Sequence, residues 1–127
     1  MSQLCGSRHV LAVLQLSRSV DYYRDVLGFS QVGADTGWAF LRRDAVVLML
    51  GECPDALAPA ALGDHNYFGY FHTDDAQALL QSFSERGVEL VKPLTDEAWG
   101  MREFGIRTID GHRIMFGQPL AEPTTAP

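Results

Sequence analysis

Apolar residues recur along the chain with two different periods, and each period predicts a different kind of element. Residues 8–14 form a short β-prone run. The next stretch has an apolar residue at every third or fourth position, which is typical of one face of a helix; these residues are Val20, Tyr23, Val26 and Leu27. Gly28 follows, where a helix can end. We therefore predict a strand, a helix over about 18–27, capped by a serine, and strands at 29–32, 38–42 and 45–50.

The second half of the chain repeats this order. Asp75 can start a helix and Gly87 can end it. Between them lies an apolar stripe made of Ala76, Leu79, Leu80 and Phe83. We predict a helix over about 75–86 and strands at 67–72, 88–91, 102–107 and 113–116. The chain thus reads as two βαβββ modules, at about 7–51 and 66–118.

These two modules predict an α+β fold in which each helix covers one face of a curved mixed sheet. The other sheet faces are then free to form a cavity. Residues 51–65 join the modules inside one domain, 1–118, because neither half has core enough to fold alone. Residues 119–127 are rich in Pro, Ala and Thr and are predicted to be a flexible tail.

Charge and composition narrow the class of protein. The net charge of −6 disfavours binding to nucleic-acid phosphates. Two cysteines without close spacing, Cys5 and Cys53, fit a reducing compartment better than a disulfide framework. No apolar run approaches the ~20 residues that a membrane span needs. We expect a cytoplasmic protein that binds neither nucleic acid nor membrane.

Three ordered segments resemble a known family. Residues 19–29, 75–88 and 100–116 are similar to the two helices and the closing hairpin of the vicinal-oxygen-chelate superfamily, which includes glyoxalases, bleomycin-resistance proteins and dioxygenases. The resemblance covers about residues 8–118. Residues 38–44 and 102–107 are most similar to bleomycin-binding resistance proteins. One departure is Thr108-Ile109, which stand where the family often has Asp-Pro before the last turn.

The resemblance implies a divalent metal held by one inward-facing residue on each of four strands, usually His, Glu or Gln. The corresponding residues here are Arg8, Val47, Phe68 and Met115. These side chains do not supply the lone pairs that such an ion needs. A shift of one position does not produce three ligands; it would give His9, Leu48, Tyr67 or Gly69, and Ile114 or Phe116. We predict no metal, no cofactor and no catalytic residue.

Strand alternation instead predicts a cavity lined by aromatic rings with a few polar groups. The predicted ligand-binding residues are Trp38, Phe40, Phe68, Tyr70, His72, Arg102, Phe104 and Met115. Flat rings favour flat ligands through stacking, while Arg102 and His72 can form hydrogen bonds with them. The acidic surface favours a cationic ligand. The leading hypothesis is therefore a metal-independent protein that binds and sequesters a planar small molecule, such as a drug or antibiotic.

Two other functions stay open at this point. In the first, the chain is a glyoxalase-like metal-dependent lyase, isomerase or dioxygenase whose ligands lie at other positions. In the second, the aromatic residues are core filler or an assembly surface, and the chain is an interaction module. Apolar residues on both faces of the sheets also predict a homodimer, which overlaps with the binding hypothesis because family members place sites near such interfaces.

Overall fold

The computed structural model of this chain describes residues 2–63 and 66–120. A short 3-10 helix, Pro59–Leu62, lies in the segment that joins the two halves. The other elements, in chain order, are β1 (His9–Val13), α1 (Leu16–Asp25), β2 (Ser30–Asp35), β3 (Trp38–Arg43), β4 (Val46–Glu52), β5 (Tyr67–His72), α2 (Ala76–Glu85), β6 (Glu89–Asp96), β7 (Met101–Arg107) and β8 (Arg113–Pro119).

These elements form two compact units, the first ending at Leu57 and the second beginning at Ala58. The first unit holds a four-stranded sheet in the order β1-β4-β3-β2, and the second holds one in the order β5-β8-β7-β6. In each sheet the first pair of strands is parallel and the other two pairs are antiparallel. The predicted α+β fold with two βαβββ modules and mixed sheets is confirmed. A cavity formed by both sheets stays a prediction.

Helix α1 begins earlier than the sequence predicts, at Leu16 instead of residue 18. The side chain of its N-cap residue, Gln15, makes no capping hydrogen bond. Instead, the backbone N–H of Leu16 donates a hydrogen bond of 2.9 Å to Oε2 of Glu52, at the end of β4. A carboxylate at this position satisfies a free N–H group and complements the positive end of the helix dipole. The predicted serine cap is wrong because the cap comes from a strand 36 residues away.

The core of the first unit lies between its sheet and α1. Strand residues that alternate toward the helix are almost fully buried, as the period of a β-strand requires; they are Leu11, Val13, Leu41, Leu48 and Leu50. From the helix, Val20 and Tyr23 are buried too. Gly28 follows with a φ of +77°, a left-handed conformation that glycine adopts without strain.

The core of the second unit is built around aromatic rings. Helix α2 begins at Ala76, and its N-cap residue Asp75 accepts a hydrogen bond of 3.0 Å from the N–H of Ala78. Phe83 of this helix lies 6.2 Å from Phe104 and 5.3 Å from Phe116, measured between ring centroids. These rings pack the helix onto the sheet.

Several strands extend beyond their predicted ends, and β6 and β8 bear on the predicted site and tail. Strand β6 runs to Asp96, and β8 runs to Pro119, the first residue of the predicted flexible tail. The N–H of Leu120 also bonds to the carbonyl of Gly100 at 2.9 Å. The rest of that tail, residues 121–127, lies outside the described residues. None of the helices in the described ranges has the length and apolarity to cross a membrane.

Candidate functional site

The open face of the first sheet, opposite α1, carries aromatic and aliphatic side chains. Trp38 and Phe40 of β3 share this face with Met49 of β4. The aromatic rings lie close to glycine backbone. A Cβ atom on Gly51 would be 3.0 Å from the Trp38 ring, and one on Gly33 would be 3.0 Å from the Phe40 ring. A Cβ atom at either position would require the ring above it to shift by a few tenths of an ångström.

Trp38 is 36% exposed and also lies at the rim of a groove between α1 and β2. This groove has a volume of about 510 Å³. Its charged lining consists of Asp21, Asp35, Glu52 and Arg24, and Arg24 forms an ion pair with Asp21. One edge of the open face is therefore bordered by a space with acidic side chains.

The open face of the second sheet, opposite α2, has a polar centre. Glu103 of β7 is only 4% exposed, yet it lies on the face away from the core. Its Oε1 accepts a hydrogen bond of 2.8 Å from Nζ of Lys92. Its Oε2 accepts one of 2.5 Å from the Tyr70 hydroxyl and one of 3.3 Å from Nε1 of Trp99. We call Tyr70, Lys92, Trp99 and Glu103 the Glu103 cluster.

The ionisation states of the cluster follow from these contacts. Burial acts to raise the pKa of Glu103, but hydrogen bonds from Lys92, Tyr70 and Trp99 outweigh it and lower that pKa. Burial acts to lower the pKa of Lys92, and the carboxylates of Glu103 and Glu97 outweigh it and raise that pKa. Burial and the hydrogen bond to Glu103 raise the pKa of Tyr70. At neutral pH the cluster holds a carboxylate, an ammonium group and a neutral phenol.

The cluster leaves two aromatic rings accessible. Trp99 is 66% exposed and Tyr70 is 41% exposed. Tyr70 lies across Gly117, where a Cβ atom would collide with the phenol ring and its hydroxyl group. Exposed His72 also lies beside it, with ring centroids 5.6 Å apart. Accessible rings held over a sheet can stack on a flat ligand.

Strand β7 corrects part of the predicted site. The register pairs Gly105 with Met115 and Phe104 with Phe116, so Phe104 faces α2 and is fully buried. Its predicted place on the cavity side is wrong. Arg102 has the same parity as Phe104, and its guanidinium forms an ion pair of 2.6 Å with Asp96. The prediction shifted this strand by one residue, and Glu103 occupies the open face instead.

Strand β5 departs from simple alternation at its start. The register shifts between Tyr67 and Gly69. Phe68, predicted to line the cavity, has its ring 6.0 Å from the core residue Phe71 and 5.8 Å from His112. The Tyr67 hydroxyl instead lies on the open face, 3.1 Å from where a Cβ of Gly105 would be. An irregular register moves a side chain to the other face of a sheet, and here it replaces Phe68 with Tyr67.

The remaining predicted residues lie on the open faces. Trp38 and Phe40 lie on the first sheet; Tyr70, His72 and Met115 lie on the second. Sequence reasoning missed Lys92, Trp99 and Glu103. The turn at Asp110-Gly111 gave a signal for Glu103, because it sets Arg107 opposite Arg113 and so fixes the face of every residue in β7.

The four positions that correspond to metal ligands do not fit a divalent ion. They hold Arg8, Val47, Phe68 and Met115, which offer no carboxylate or imidazole donor. Within residues 2–63 and 66–120, no three His, Cys, Asp or Glu side chains are grouped so that they could hold a metal.

Comparison with known families identifies the chain. The family model of the Glyoxalase/Bleomycin resistance protein/Dioxygenase superfamily matches residues 7–116. The chain belongs to this superfamily. A comparison with curated proteins finds no match. Membership agrees with the two βαβββ modules described above, and superfamily members with different activities share this fold, so the activity must be argued from the site.

Several solved structures resemble nearly all of the chain. A glyoxalase/bleomycin resistance protein/dioxygenase from Nocardioides is 17% identical with a TM-score of 0.72, and the match covers 100% of this chain and 91% of that one. The bleomycin-binding protein from Streptomyces verticillus, solved with copper(II)-bleomycin, is 21% identical with a TM-score of 0.73, covering 96% and 100%. TnmS3, an antibiotic binding protein from Streptomyces sp. CB03234, is 20% identical with a TM-score of 0.66, covering 93% and 99%. These identities establish the fold alone.

Proposed function

We propose that this protein binds and sequesters a planar small molecule, of the drug or antibiotic class, without a metal. The observation that carries the proposal is the pair of open sheet faces, each of which presents accessible aromatic rings. Trp38 and Phe40 are the rings on the first sheet, and Tyr70 and Trp99 are those on the second. Sequestration needs binding surfaces but no reacting group. It is therefore compatible with the side chains at the four metal positions, which cannot bind a divalent ion.

Stacking is the interaction that these faces offer. Two aromatic rings stacked or packed edge to face contribute ~0.5–1.5 kcal/mol beyond the burial of their area. Trp38 is supported from below by Gly51, and Trp99 is anchored through its Nε1. Rings that are already fixed lose little side-chain entropy on binding. This arrangement favours a rigid, flat ligand over a flexible aliphatic one.

Charge favours a ligand that carries a positive group. In the second unit, the carboxylates of Glu97 and Glu103 share the single ammonium group of Lys92, at 3.3 and 2.8 Å. In the first unit, Asp35 and Glu52 border the groove beside Trp38. With a net charge of −6, the surface attracts a cation over distances up to about 10 Å at 0.1 M salt. We propose a planar aromatic cation.

The structural relatives support this class of function. Among proteins of the same fold, one is solved with copper(II)-bleomycin and another is described as an antibiotic binding protein. We also propose that the chain acts as a cytoplasmic homodimer, since exposed apolar side chains such as Val10, at 62% exposure, remain on the open face of the first sheet. Light scattering should then give about twice 14.0 kDa, and a monomer at every concentration would contradict the dimer.

Calorimetric titration with metal-free bleomycin and with ethidium tests the proposal. We expect saturable binding of at least one probe, with Trp38→Ala weakening it by ~1–3 kcal/mol, as loss of a stacking platform does elsewhere. Leu57→Ala is the matched control, because Leu57 is 69% exposed and lies outside both sheets. Binding weaker than millimolar for both probes, or equal affinity of parent and Trp38→Ala, would reject sequestration and favour an interaction module.

A further inference from the structure

We propose that Glu103 is a positioning residue, which holds the rings of Tyr70 and Trp99 in fixed orientations on the open face of the second sheet. The claim rests on the proposed function in one respect, namely that the two rings contact the ligand. Glu103 itself is too buried to contact a ligand directly, since only 4% of it is exposed.

The contacts of Glu103 are directed at exposed rings. Its Oε2 accepts both the Tyr70 hydroxyl, at 2.5 Å, and the indole N–H of Trp99, at 3.3 Å. These two donors belong to side chains that are 41% and 66% exposed. The ammonium group of Lys92, 2.8 Å from Oε1, keeps the carboxylate charged. One oxygen atom therefore sets the orientation of both rings.

The core of the second unit gives no reason for a carboxylate at this position. The core side chains of β7, Phe104 and Ile106, are fully buried and have the opposite parity, toward α2. Burying a carboxylate costs several kcal/mol before its partners compensate it, whereas an apolar residue would cover the sheet without that cost. What Glu103 provides in return is the fixed placement of Tyr70 and Trp99.

Fixed rings matter because an exposed tryptophan otherwise samples several rotamers. A ligand that stacks on a mobile ring must first immobilise it, and this ordering weakens binding. Trp99 is held by its indole N–H, which leaves the face of the ring accessible. The same logic applies to Tyr70, which its hydroxyl group and Gly117 hold flat on the sheet.

The test follows Trp99 directly, in a Trp38→Phe background, because the chain has two tryptophans. In that background we compare Glu103→Ala, Glu103→Gln and Glu89→Gln. The last is the matched control: Glu89 lies in β6 and pairs with Arg107 at 2.7 Å, without a contact to Trp99. Acrylamide quenching and fluorescence anisotropy measure the freedom of the indole, and its Nε1 proton resonance reports the hydrogen bond.

We expect Glu103→Ala to raise quenching, lower anisotropy and move the indole proton upfield, while Glu89→Gln changes none of them. Glu103→Gln keeps an acceptor oxygen, so its quenching, anisotropy and indole proton shift should lie between those of the parent and of Glu103→Ala. If Glu103→Ala does not fold, Glu103→Gln provides the test in its place. The population of the free indole should rise roughly ten-fold or more in Glu103→Ala, since a hydrogen bond to a charged group contributes on that order. A Trp99 signal unchanged in both Glu103 variants would overturn the proposal.

Titration with metal-free bleomycin and ethidium separates this proposal from the proposed function. These titrations use the unmodified protein, with Trp38 in place, and the single variants made in it. If the unmodified protein binds neither probe, sequestration fails, and the fluorescence result alone decides the role of Glu103. If it binds a probe, the dissociation constant should rise roughly ten-fold in Glu103→Ala and remain unchanged in Glu89→Gln. Equal binding by parent and Glu103→Ala, with Trp99 freed, would show that the fixed rings do not serve the ligand.

Discussion

The two open sheet faces share one architecture and fix their aromatic rings by different means. On the first sheet, Trp38 and Phe40 are placed by close packing against the backbone of Gly51 and Gly33. On the second sheet, Tyr70 and Trp99 are placed by hydrogen bonds to buried Glu103. The first face thus depends on the absence of side chains beneath its rings, whereas the second depends both on Gly117 beneath Tyr70 and on the charge of Glu103.

The two modules should therefore respond differently to substitution and to pH. Packing against glycine does not depend on ionisation, so the first face should be indifferent to pH. The second face should loosen when Glu103 is protonated. Substitutions in the core should have a larger effect than substitutions of the glycines beneath the rings, and the charge of Glu103 should have the smallest effect on stability.

The largest effect concerns the boundary between core and open face. Phe104→Ala should destabilise the protein by ~3–5 kcal/mol, as expected for a buried phenylalanine that packs on several rings. Phe40→Ala, the same change on the half-buried open face of the first sheet, should cost about 1 kcal/mol, because less area is removed from contact. Urea denaturation of both variants measures the two losses in unfolding free energy. Equal losses would contradict the assignment of Phe104 to the core.

A smaller effect is expected when the glycines beneath the aromatic rings are substituted. In Gly117→Ala the added Cβ collides with the Tyr70 ring, so Tyr70 must leave Glu103, with a loss of about 1–3 kcal/mol in unfolding free energy. In Gly51→Ala the Cβ lies 3.0 Å from the Trp38 ring, which can shift by a few tenths of an ångström, so the loss should be smaller. Chemical denaturation ranks the two variants, and the reverse order would contradict the comparison.

Strand alternation in the sequence predicts the open-face side chains correctly in some strands and not in others. Alternation placed Trp38, Phe40 and Met49 on one face because β3 and β4 have a regular register. It failed for Phe68, because the register of β5 shifts next to it. It fails for Phe104 because the predicted alternation of β7 is one residue out of phase, and the register with β8 places Phe104 on the helix side.

The Glu103 cluster was harder to predict for a physical reason. Its members come from β5, β6, the segment before β7 and β7, and only the pairing of those strands brings them together. A glutamate beside Phe104 in a strand looks like an exposed residue, since unpaired carboxylates are rarely buried. Similarly, the cap of α1 by Glu52 joins residues 36 positions apart, which local helix-capping patterns do not include.

The smallest effect is the pH dependence of stability. The pKa of Glu103 is lowered from its ordinary 4.5, so its contribution is present above 4.5 and is lost as pH falls through the folded-state value. The unfolding free energy of the parent should therefore fall more steeply below pH 4.5 than that of Glu103→Gln. Urea midpoints at pH 7 and at about pH 3 measure this, and parallel pH profiles would contradict the assigned role of the charge.

We propose that the rings on both open faces bind one class of flat ligand. A titration of ¹⁵N-labelled protein with ethidium and with metal-free bleomycin, followed by the indole N–H signals, tests it directly because the chain has two tryptophans, Trp38 and Trp99. We predict that both signals shift and saturate as ligand is added. Indole signals that stay in place while either ligand is in millimolar excess would contradict the account.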